Sequence, residues 1–332
     1  LLAVQLVERL REHDLDCDVR TVFTTPTIAG LAAVLSDGAM RHRVAVPVNS
    51  ITPQTEVITP DVLPLVSLDQ TEIDRIVEAV PGGTANVQDI YPLAPLQEGI
   101  LFHHLVSPDA DSYVLSSLLT ADSRERLDAF LAALQTVIDR HDILRTSLAW
   151  EGLSHPVQIV HRHTCVNVEE LTLDTTGSAI DDPAAALMAQ VDPRRYRMDL
   201  GQAPLIRLFT AHDPVNQRWL ILVLMHHIIG DNASLQVLVS EVGSILRGDM
   251  AQLPPPVPYR NVVAQAVLGV PQAEHEAFFR TMLGDVAEPC APYGLLDTVR
   301  MSSRRGRCWT PGSPAWCGRA PDDWASRRQA CS

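Results

Sequence analysis

Apolar residues recur along the chain with two different spacings, and each spacing predicts a type of element. Residues 219–225 form a continuous apolar run rich in β-branched side chains, which predicts a buried strand too short to cross a bilayer. Directly after it, residues 234–246 carry apolar side chains at helical spacing. The pattern therefore predicts a buried strand that leads into a helix.

The same reasoning predicts further elements along the chain. Helical spacing predicts helices over residues 1–13, 69–80, 96–105, 124–140 and 262–283. Thr25 followed by Pro26 predicts the start of a short helix that ends at Leu35. Residues 141–147 and 156–160 predict a strand and its hairpin partner.

Composition narrows the class of protein. The chain has 332 residues, of which 46% are hydrophobic and 20% charged, an ordinary globular composition with room for more than one domain. The formal net charge of −14 argues against a nucleic-acid partner, which would require a basic face. Six scattered cysteines form no Cys-x-x-Cys pair, so neither a zinc site nor a disulfide framework is indicated. With no signal peptide and no membrane span in the pattern, we expect a cytoplasmic location.

The junction between the predicted strand and helix carries the candidate chemistry. His226 and His227 close the strand, and Asp231 stands at the start of the helix. Successive strand side chains point to opposite faces, so only one imidazole can face a cleft, where it would suit proton chemistry near neutral pH. The alternative is that Asp231 or Asn232 only caps the helix and both histidines are core residues. No metal is expected, because the neighbouring histidines diverge and no third ligand is evident.

Several motifs resemble those of the condensation-domain superfamily of nonribosomal peptide synthetases. The stretch from His226 to Asp231 matches the family signature His-His-x-x-x-Asp, with Asn232 where the family usually has glycine. Residues 140–146 resemble a second motif, Arg-His-Glu-x-Leu-Arg-Thr, and residues 90–104 resemble the first core motif. Residues 198–207 and 294–297 continue the match.

The resemblance implies an α+β fold, namely the chloramphenicol acetyltransferase-like N-terminal lobe with a mixed sheet flanked by helices. It implies amide formation between a donor thioester and an aminoacyl acceptor, both bound to carrier proteins through phosphopantetheine. His227 would take the amine proton or stabilise the tetrahedral intermediate, and both roles stay open at this point. His226 would pack inward, and Arg145 would pair with Asp231 in the core.

A further motif points to a subtype. In condensation domains that also epimerise the donor residue, His-His-Ile/Leu is followed by four variable residues and Gly-Asp. Here His103, His104 and Leu105 are followed at that distance by Ala110 and Asp111, so one glycine is replaced. The resemblance therefore suggests epimerisation of the donor residue. The alternative is that both histidines only mark a partly exposed helix end.

The same comparison divides the chain. Residues 1–35 resemble the C-terminal half of a peptidyl carrier protein, whose phosphopantetheine serine would precede Leu1. Residues 36–63, rich in Pro, Val, Thr and Ser, read as a solvated interdomain linker. Residues 64–297 correspond to the condensation domain, covering its first lobe and the start of its second.

The tail differs from everything before it. Residues 298–332 carry seven arginines against two acids, with three cysteines and three tryptophans. Because Cys and Trp are unusual in solvated charged tails, our hypothesis is a slip of the coding frame, with a basic interaction tail as the alternative.

Two functions from different classes follow. The first is condensation within an assembly line, with upstream and downstream peptidyl carrier proteins and an adenylation domain as partners. The second is an inactive, truncated module that binds carrier proteins without turnover, because a complete domain of this family places its active site between two lobes.

Overall fold

A computed structural model describes residues 2–13, 15, 17, 19–36, 44–107, 111–173, 182–288 and 308–309. Ala110, the match at residues 294–297 and all of the tail except residues 308–309 lie outside the described residues. No described helix is long and apolar enough to span a membrane.

Ten helices and eight strands are present among these residues. The helices are α1 (Leu2–Glu12), α2 (Val19–Thr24), α3 (Ile28–Ser36), α4 (Gln70–Ala79), α5 (Pro95–Val106), α6 (Arg124–Arg140), α7 (Pro183–Val191), α8 (Asn232–Leu246), α9 (Arg260–Leu268) and α10 (Gln272–Leu283). The strands are β1 (Val87–Pro92), β2 (Val114–Ala121), β3 (Thr146–Ala149), β4 (Val157–His161), β5 (Asn167–Glu170), β6 (Ile206–Asp213), β7 (Arg218–His226) and β8 (Cys308–Trp309).

The strands form two sheets, which confirms an α+β fold with a mixed sheet flanked by helices. The larger sheet has the order β5-β6-β7-β2-β8. Its two outer strands are parallel to their neighbours, β5 to β6 and β8 to β2, and the inner pairs β6-β7 and β7-β2 are antiparallel. The smaller antiparallel sheet has the order β1-β4-β3. The continuous apolar run of β7 is explained by its central position, where both faces of the strand are covered.

The main core lies between the larger sheet and α6, α7 and α8. The predicted strand at 219–225 and the predicted helix at 234–246 are confirmed as β7 and α8. The register places Val114 at the start of β2 opposite His226 at the end of β7, so Tyr113 and His227 lie side by side just beyond these strand ends. This end of the sheet carries the candidate site.

Three sequence predictions are wrong in detail. The strand predicted over 141–147 begins only at Thr146, because Asp142–Arg145 form a turn of 3-10 helix before it. The helix predicted from Thr25 begins instead at Ile28, with the Thr27 hydroxyl accepting from the Gly30 amide at 3.2 Å. The single helix predicted over 262–283 is two helices, because Pro271 cannot continue α9 and α10 starts directly after it.

The segment predicted to be a solvated linker is largely exposed over its described part, but it is anchored to the fold by a few buried contacts. Residues 44–58 form no regular helix or strand, but Ile51, Ile58 and Leu63 are buried in a second core with α4, β1 and β4. Arg260 of α9 also donates to the carbonyls of Pro47 and Val48 at 2.9 and 3.4 Å. These contacts hold the segment against the smaller sheet.

Candidate active site

The two adjacent histidines separate as the strand alternation predicts. β7 ends at His226, whose side chain is fully buried, whereas His227 begins a single turn of 3-10 helix and is half-buried. One imidazole therefore lies in the protein interior and the other is open to approaching molecules.

His226 is held in one tautomer by its partners. Its Nδ1 accepts a hydrogen bond from the Ile228 amide at 3.2 Å, so Nδ1 carries no proton. Its Nε2 lies 3.1 Å from Oδ2 of Asp111, and a carboxylate can only accept. The proton is therefore on Nε2, and His226 is a neutral donor to Asp111.

Asp111 receives three hydrogen bonds. His104 Nδ1 lies 2.6 Å from the same Oδ2, and the Tyr113 amide donates to Oδ1 at 3.0 Å. Burial would raise the pKa of this carboxyl, but the bonds from His104 and His226 outweigh it and hold the pKa well below its ordinary value. His104, Asp111 and His226, which we call the histidine cluster, are all buried, and the carboxylate at its centre is ionised.

The histidine cluster has the composition of a metal site, with ligand atoms all within 4.8 Å of one another. A metal would need the Nε2 lone pair of His226, while Nδ1 already needs its own lone pair for the Ile228 amide. Both requirements together demand an imidazolate. The observed arrangement is therefore that of a hydrogen-bonded cluster and does not favour a metal.

His227 is also held in one tautomer, with the opposite arrangement. Its Nδ1 lies 2.6 Å from the carbonyl oxygen of Gly230, so Nδ1 carries the proton and donates. Its backbone amide donates to the Tyr113 carbonyl at 2.8 Å. Nε2 has no hydrogen-bond partner among the described residues, which leaves its lone pair free in the neutral form.

Gly230 lies in close contact with the start of α8. Its carbonyl orients His227, and a Cβ at this position would lie 3.0 Å from Cβ of Ser234. The departure at Asn232 imposes no backbone strain, because Asn232 is the first residue of α8 and its φ is not positive.

Asp231 is the N-cap of α8. Its Oδ1 accepts from the amide of Ser234 at 2.9 Å and from the Ser234 hydroxyl at 3.0 Å. The hydrogen bond from the Ser234 backbone amide holds the pKa of Asp231 below its ordinary value. The residue is exposed, so it is not the buried carboxylate that the family motif led us to expect.

Arg145 does not pair with Asp231, and that prediction is wrong. The Arg145 guanidinium is buried in the smaller sheet, where Nη1 donates to the side-chain oxygen of Gln88 at 2.9 Å and to the carbonyl of His161. Its Nε has no partner within the described part of the chain. The pairing fails because Arg145 lies at the end of the turn before β3, where its side chain reaches β1 and β4 instead.

Two glutamines connect the smaller sheet to the loop that carries His227, which we call the histidine loop. Gln97 of α5 and Gln158 of β4 exchange amide hydrogen bonds at 2.9 Å. Gln97 Nε2 also donates to the Ile228 carbonyl at 3.0 Å, and Gln158 Nε2 donates to the Pro92 carbonyl at 3.1 Å. The loop that carries His227 is therefore tied to both sheets.

Aromatic rings lie near His227. The centroid of the Tyr113 ring lies 6.5 Å from that of the His227 ring, and the His103 ring lies 6.0 Å from the Tyr113 ring. Phe102 contacts His103 at 5.7 Å and is largely exposed. The end of α5 is fixed by Arg197, which donates to the carbonyls of His104 and Ser107, both at 2.7 Å.

Comparison with known proteins assigns the family. The family model described as "Condensation domain" matches residues 87–288, more than half of the chain. The chain belongs to the condensation-domain family.

Similar proteins are multidomain synthetases. The chain is 47% identical over 302 residues to malpibaldin synthetase from Mortierella alpina, covering 90% of this chain and 5% of that protein. It is 46% identical over 309 residues to malpinin synthetase from the same organism, covering 93% of this chain and 4% of that protein. The chain thus spans about one twentieth of the length of these relatives. The solved starter condensation domain of rhizomide synthetase aligns with a TM-score of 0.48 and 20% identity, over 61% of this chain and 50% of that one.

The structure adds residues that the sequence did not assign to the site. His104 and Asp111 were noticed only as a subtype motif, yet they contact His226 directly. The Gln97 side chain donates to the backbone carbonyl of Ile228, and the Tyr113 carbonyl accepts from the His227 amide. Because both contacts involve backbone groups of the loop, no side-chain motif reveals them. A spacing of seven residues between His104 and Asp111, across the end of a helix, was the one available signal.

Proposed function

We propose that this chain supplies the catalytic histidine lobe for amide formation between a carrier-bound donor thioester and a carrier-bound aminoacyl acceptor. Family membership supports the reaction class. The observation that carries the residue assignment is the tautomer of His227, whose Nδ1–H donates to Gly230 and whose Nε2 is unpaired. His227 is the catalytic residue of this proposal.

The tautomer favours one of the two roles considered for His227. A neutral imidazole protonated on Nδ1 has a lone pair but no hydrogen at Nε2, so it accepts a proton and cannot donate to an oxyanion. In the proposed step the acceptor nitrogen attacks the thioester carbonyl carbon, a C–N bond forms, and Nε2 takes the proton from that nitrogen. The C–S bond then breaks, and the proton passes to the departing thiolate.

In this proposal the other predicted site residues hold the elements around His227 in place. His226 fixes the Ile228 amide, and Asp231 fixes the start of α8 next to Gly230. Arg145 supports the smaller sheet at some remove from the imidazole. None of the three touches the reacting atoms.

Phosphopantetheine enters as part of the substrates, carried by upstream and downstream carrier proteins and not by this chain. An adenylation domain would load those carriers. In this scheme residues 1–35 are a carrier-protein remnant, 36–63 connect it to the lobe, and 64–297 form a chloramphenicol acetyltransferase-like lobe with the start of its partner. The connecting segment packs on the lobe, so carrier and lobe would be joined without a free linker over residues 44–63.

Epimerisation of the donor residue is the finer part of the proposal. The subtype motif supports it, and exposed His103 lies on the same aromatic row as His227. Running the reaction in deuterated water separates the two activities, because epimerisation introduces deuterium at the donor α-carbon and condensation alone does not.

The test combines the 332-residue chain with loaded donor and acceptor carriers and follows dipeptidyl thioester by mass spectrometry. We expect product from the wild type, none above background from His227→Ala, and unchanged product from His212→Ala. His212 is a matched control, being an exposed histidine on β6 of the same sheet. Equal product from wild type and His227→Ala contradicts the proposal, and carrier binding without product favours a non-catalytic binding module.

A further inference from the structure

Two chains of hydrogen bonds start at Asp111 and end on the two sides of His227. Asp111 Oδ1 accepts from the Tyr113 amide, and the Tyr113 carbonyl accepts from the His227 amide. Asp111 Oδ2 accepts from His226 Nε2, and His226 Nδ1 accepts from the Ile228 amide. The tethered amides belong to the two peptide groups that flank the Cα of His227.

This arrangement constrains the backbone of His227 directly. The peptide groups before and after a residue define its φ and ψ, so fixing both of them fixes the direction of the side chain. With the backbone fixed, the His227 ring reaches the Gly230 carbonyl, which sets the tautomer. The orientation of Nε2 therefore depends on a carboxylate that never touches it.

His104 completes the arrangement. It donates to the same Asp111 oxygen as His226, and its side chain and that of Asp111 are 5% and 0% exposed. A buried carboxylate is stable as an anion only when it receives enough hydrogen bonds. His104 therefore holds Asp111 in the charged form that can accept on both chains at once.

We infer that Asp111, supported by His104, is a positioning residue for His227, and that its carboxylate fixes both the backbone and the tautomer of the catalytic imidazole. The inference rests on the proposed function of His227 for its bearing on catalysis, whereas the positioning itself is measurable without any reaction. It assigns His104 and Asp111 a supporting task distinct from proton transfer to substrate.

The test uses Asp111→Asn with Asp213→Asn as the matched control. Asp213 is a buried carboxylate at the far end of β6, bonded to Asn216 and Arg218, so its replacement costs comparable stability without touching His227. Chains labelled with 15N-histidine report which ring nitrogen carries the proton, and His227→Gln assigns the signal. Amide hydrogen exchange of His227 and Ile228 is followed on the same samples.

We expect His227 in wild type and in Asp213→Asn to be protonated on Nδ1, with protected amides at 227 and 228. In Asp111→Asn we expect a mixture of tautomers and roughly tenfold faster exchange at these amides, the size of one lost hydrogen bond. Where condensation is measurable, kcat should fall at least about tenfold with KM unchanged. Identical tautomer and exchange in all three chains would overturn the inference.

A second pair of variants covers a failure of Asp111→Asn to fold. His104→Asn keeps an N–H donor near the position of Nδ1, whereas His104→Leu removes it. We expect only His104→Leu to release the His227 amides, and equal behaviour of the pair overturns the inference. Absence of product from the wild type alongside released amides in Asp111→Asn counts against the proposed reaction alone. Product that depends on His227 but not on Asp111 counts against the positioning alone.

Discussion

Asp111 and Asp89 are both buried carboxylates with cationic or polar partners, yet their pKa values shift in opposite directions. Three donors converge on Asp111, and its pKa is well below the ordinary value. Asp89 receives both of its side-chain bonds from the single Nη1 of Arg260 and one bond from the Ile90 amide, and burial raises its pKa. At Asp111 the hydrogen bonds outweigh the effect of burial on the pKa, whereas at Asp89 the effect of burial outweighs the bonds, even though Asp89 has a formal cation as its partner.

The difference extends to the surroundings of each acid. We call Asp89, Asp142, Arg145 and Arg260 the arginine cluster, which lies around the smaller sheet. Burial also raises the pKa of Asp142 and lowers that of Arg145, and Arg145 Nε has no partner among the described residues. The histidine cluster is therefore an ionised carboxylate hydrogen-bonded to the loop that carries His227, whereas the arginine cluster holds elements together at a cost in desolvation.

The largest expected effect comes from breaking the arginine cluster. Arg260→Ala leaves Asp89 as a buried charge without a cation and also releases the carbonyls of Pro47 and Val48. Removal of one partner of a buried ion pair typically costs about 3–5 kcal/mol. We expect a loss of that size in the free energy of unfolding, measured by urea denaturation.

Arg247→Ala is the control for that experiment. Arg247 pairs with Asp249 at 3.4 Å, and both side chains are about half exposed. An exposed pair of this kind contributes at most about 1 kcal/mol. If Arg260→Ala lowers the free energy of unfolding no more than Arg247→Ala does, the arginine cluster does not hold these elements together.

The second expected effect separates the two clusters by pH. His161 lies beside the arginine cluster, with Nε2 2.7 Å from the Ser147 hydroxyl, and burial together with the charge of Arg145 lowers its pKa from 6.5 to about 4. Between about pH 6.5 and pH 4, His161 is therefore protonated in the unfolded chain but neutral in the folded chain. Stability is therefore lost as pH falls from about 6.5 to about 4, by about 3 kcal/mol in total.

His161→Gln isolates this contribution, because glutamine does not titrate and its amide can still bond Ser147. We expect urea midpoints of wild type to fall more steeply than those of His161→Gln between about pH 7 and pH 4. Asp89 and Asp142, whose pKa values are raised, act in the opposite direction as pH falls, but they do so in both chains. Parallel curves for the two chains would contradict the assignment.

The strongest local patterns in the sequence were sufficient to place the site. β7 and α8 follow from a long apolar run and a clear helical period, so the end of the sheet that carries His226 and His227 is predictable. Strand alternation also predicts that only one of the two histidines can face a cleft, whereas the assignment of that position to His227 came from the family resemblance. These features depend on neighbours within a few residues, which periodicity reads well.

What the sequence missed depends on distant contacts. Residues 44–63 are rich in Pro, Val and Thr without a helical or strand period, so the sequence does not reveal which three of the apolar side chains pack on α4 and β4. The partner of Arg145 is decided by where the turn before β3 falls, not by a motif 86 positions later. One of the two links between Asp111 and His227 runs through the backbone groups of Tyr113, which every residue except proline possesses, so no residue type marks that link.

The smallest expected effect tests the corrected role of Asp231. As the exposed N-cap of α8, it should contribute about 1 kcal/mol, so Asp231→Ala should lower the free energy of unfolding by that amount and Asp231→Ser should restore most of it. Ser123→Ala, at the N-cap of α6, is the matched control and should cost about the same. A double-mutant cycle of Asp231→Ala with Arg145→Gln should be additive within about 0.5 kcal/mol, because the two side chains share no contact. A coupling well above that, or a loss of about 3 kcal/mol or more from Asp231→Ala alone, would instead indicate the buried ion pair expected from the family motif.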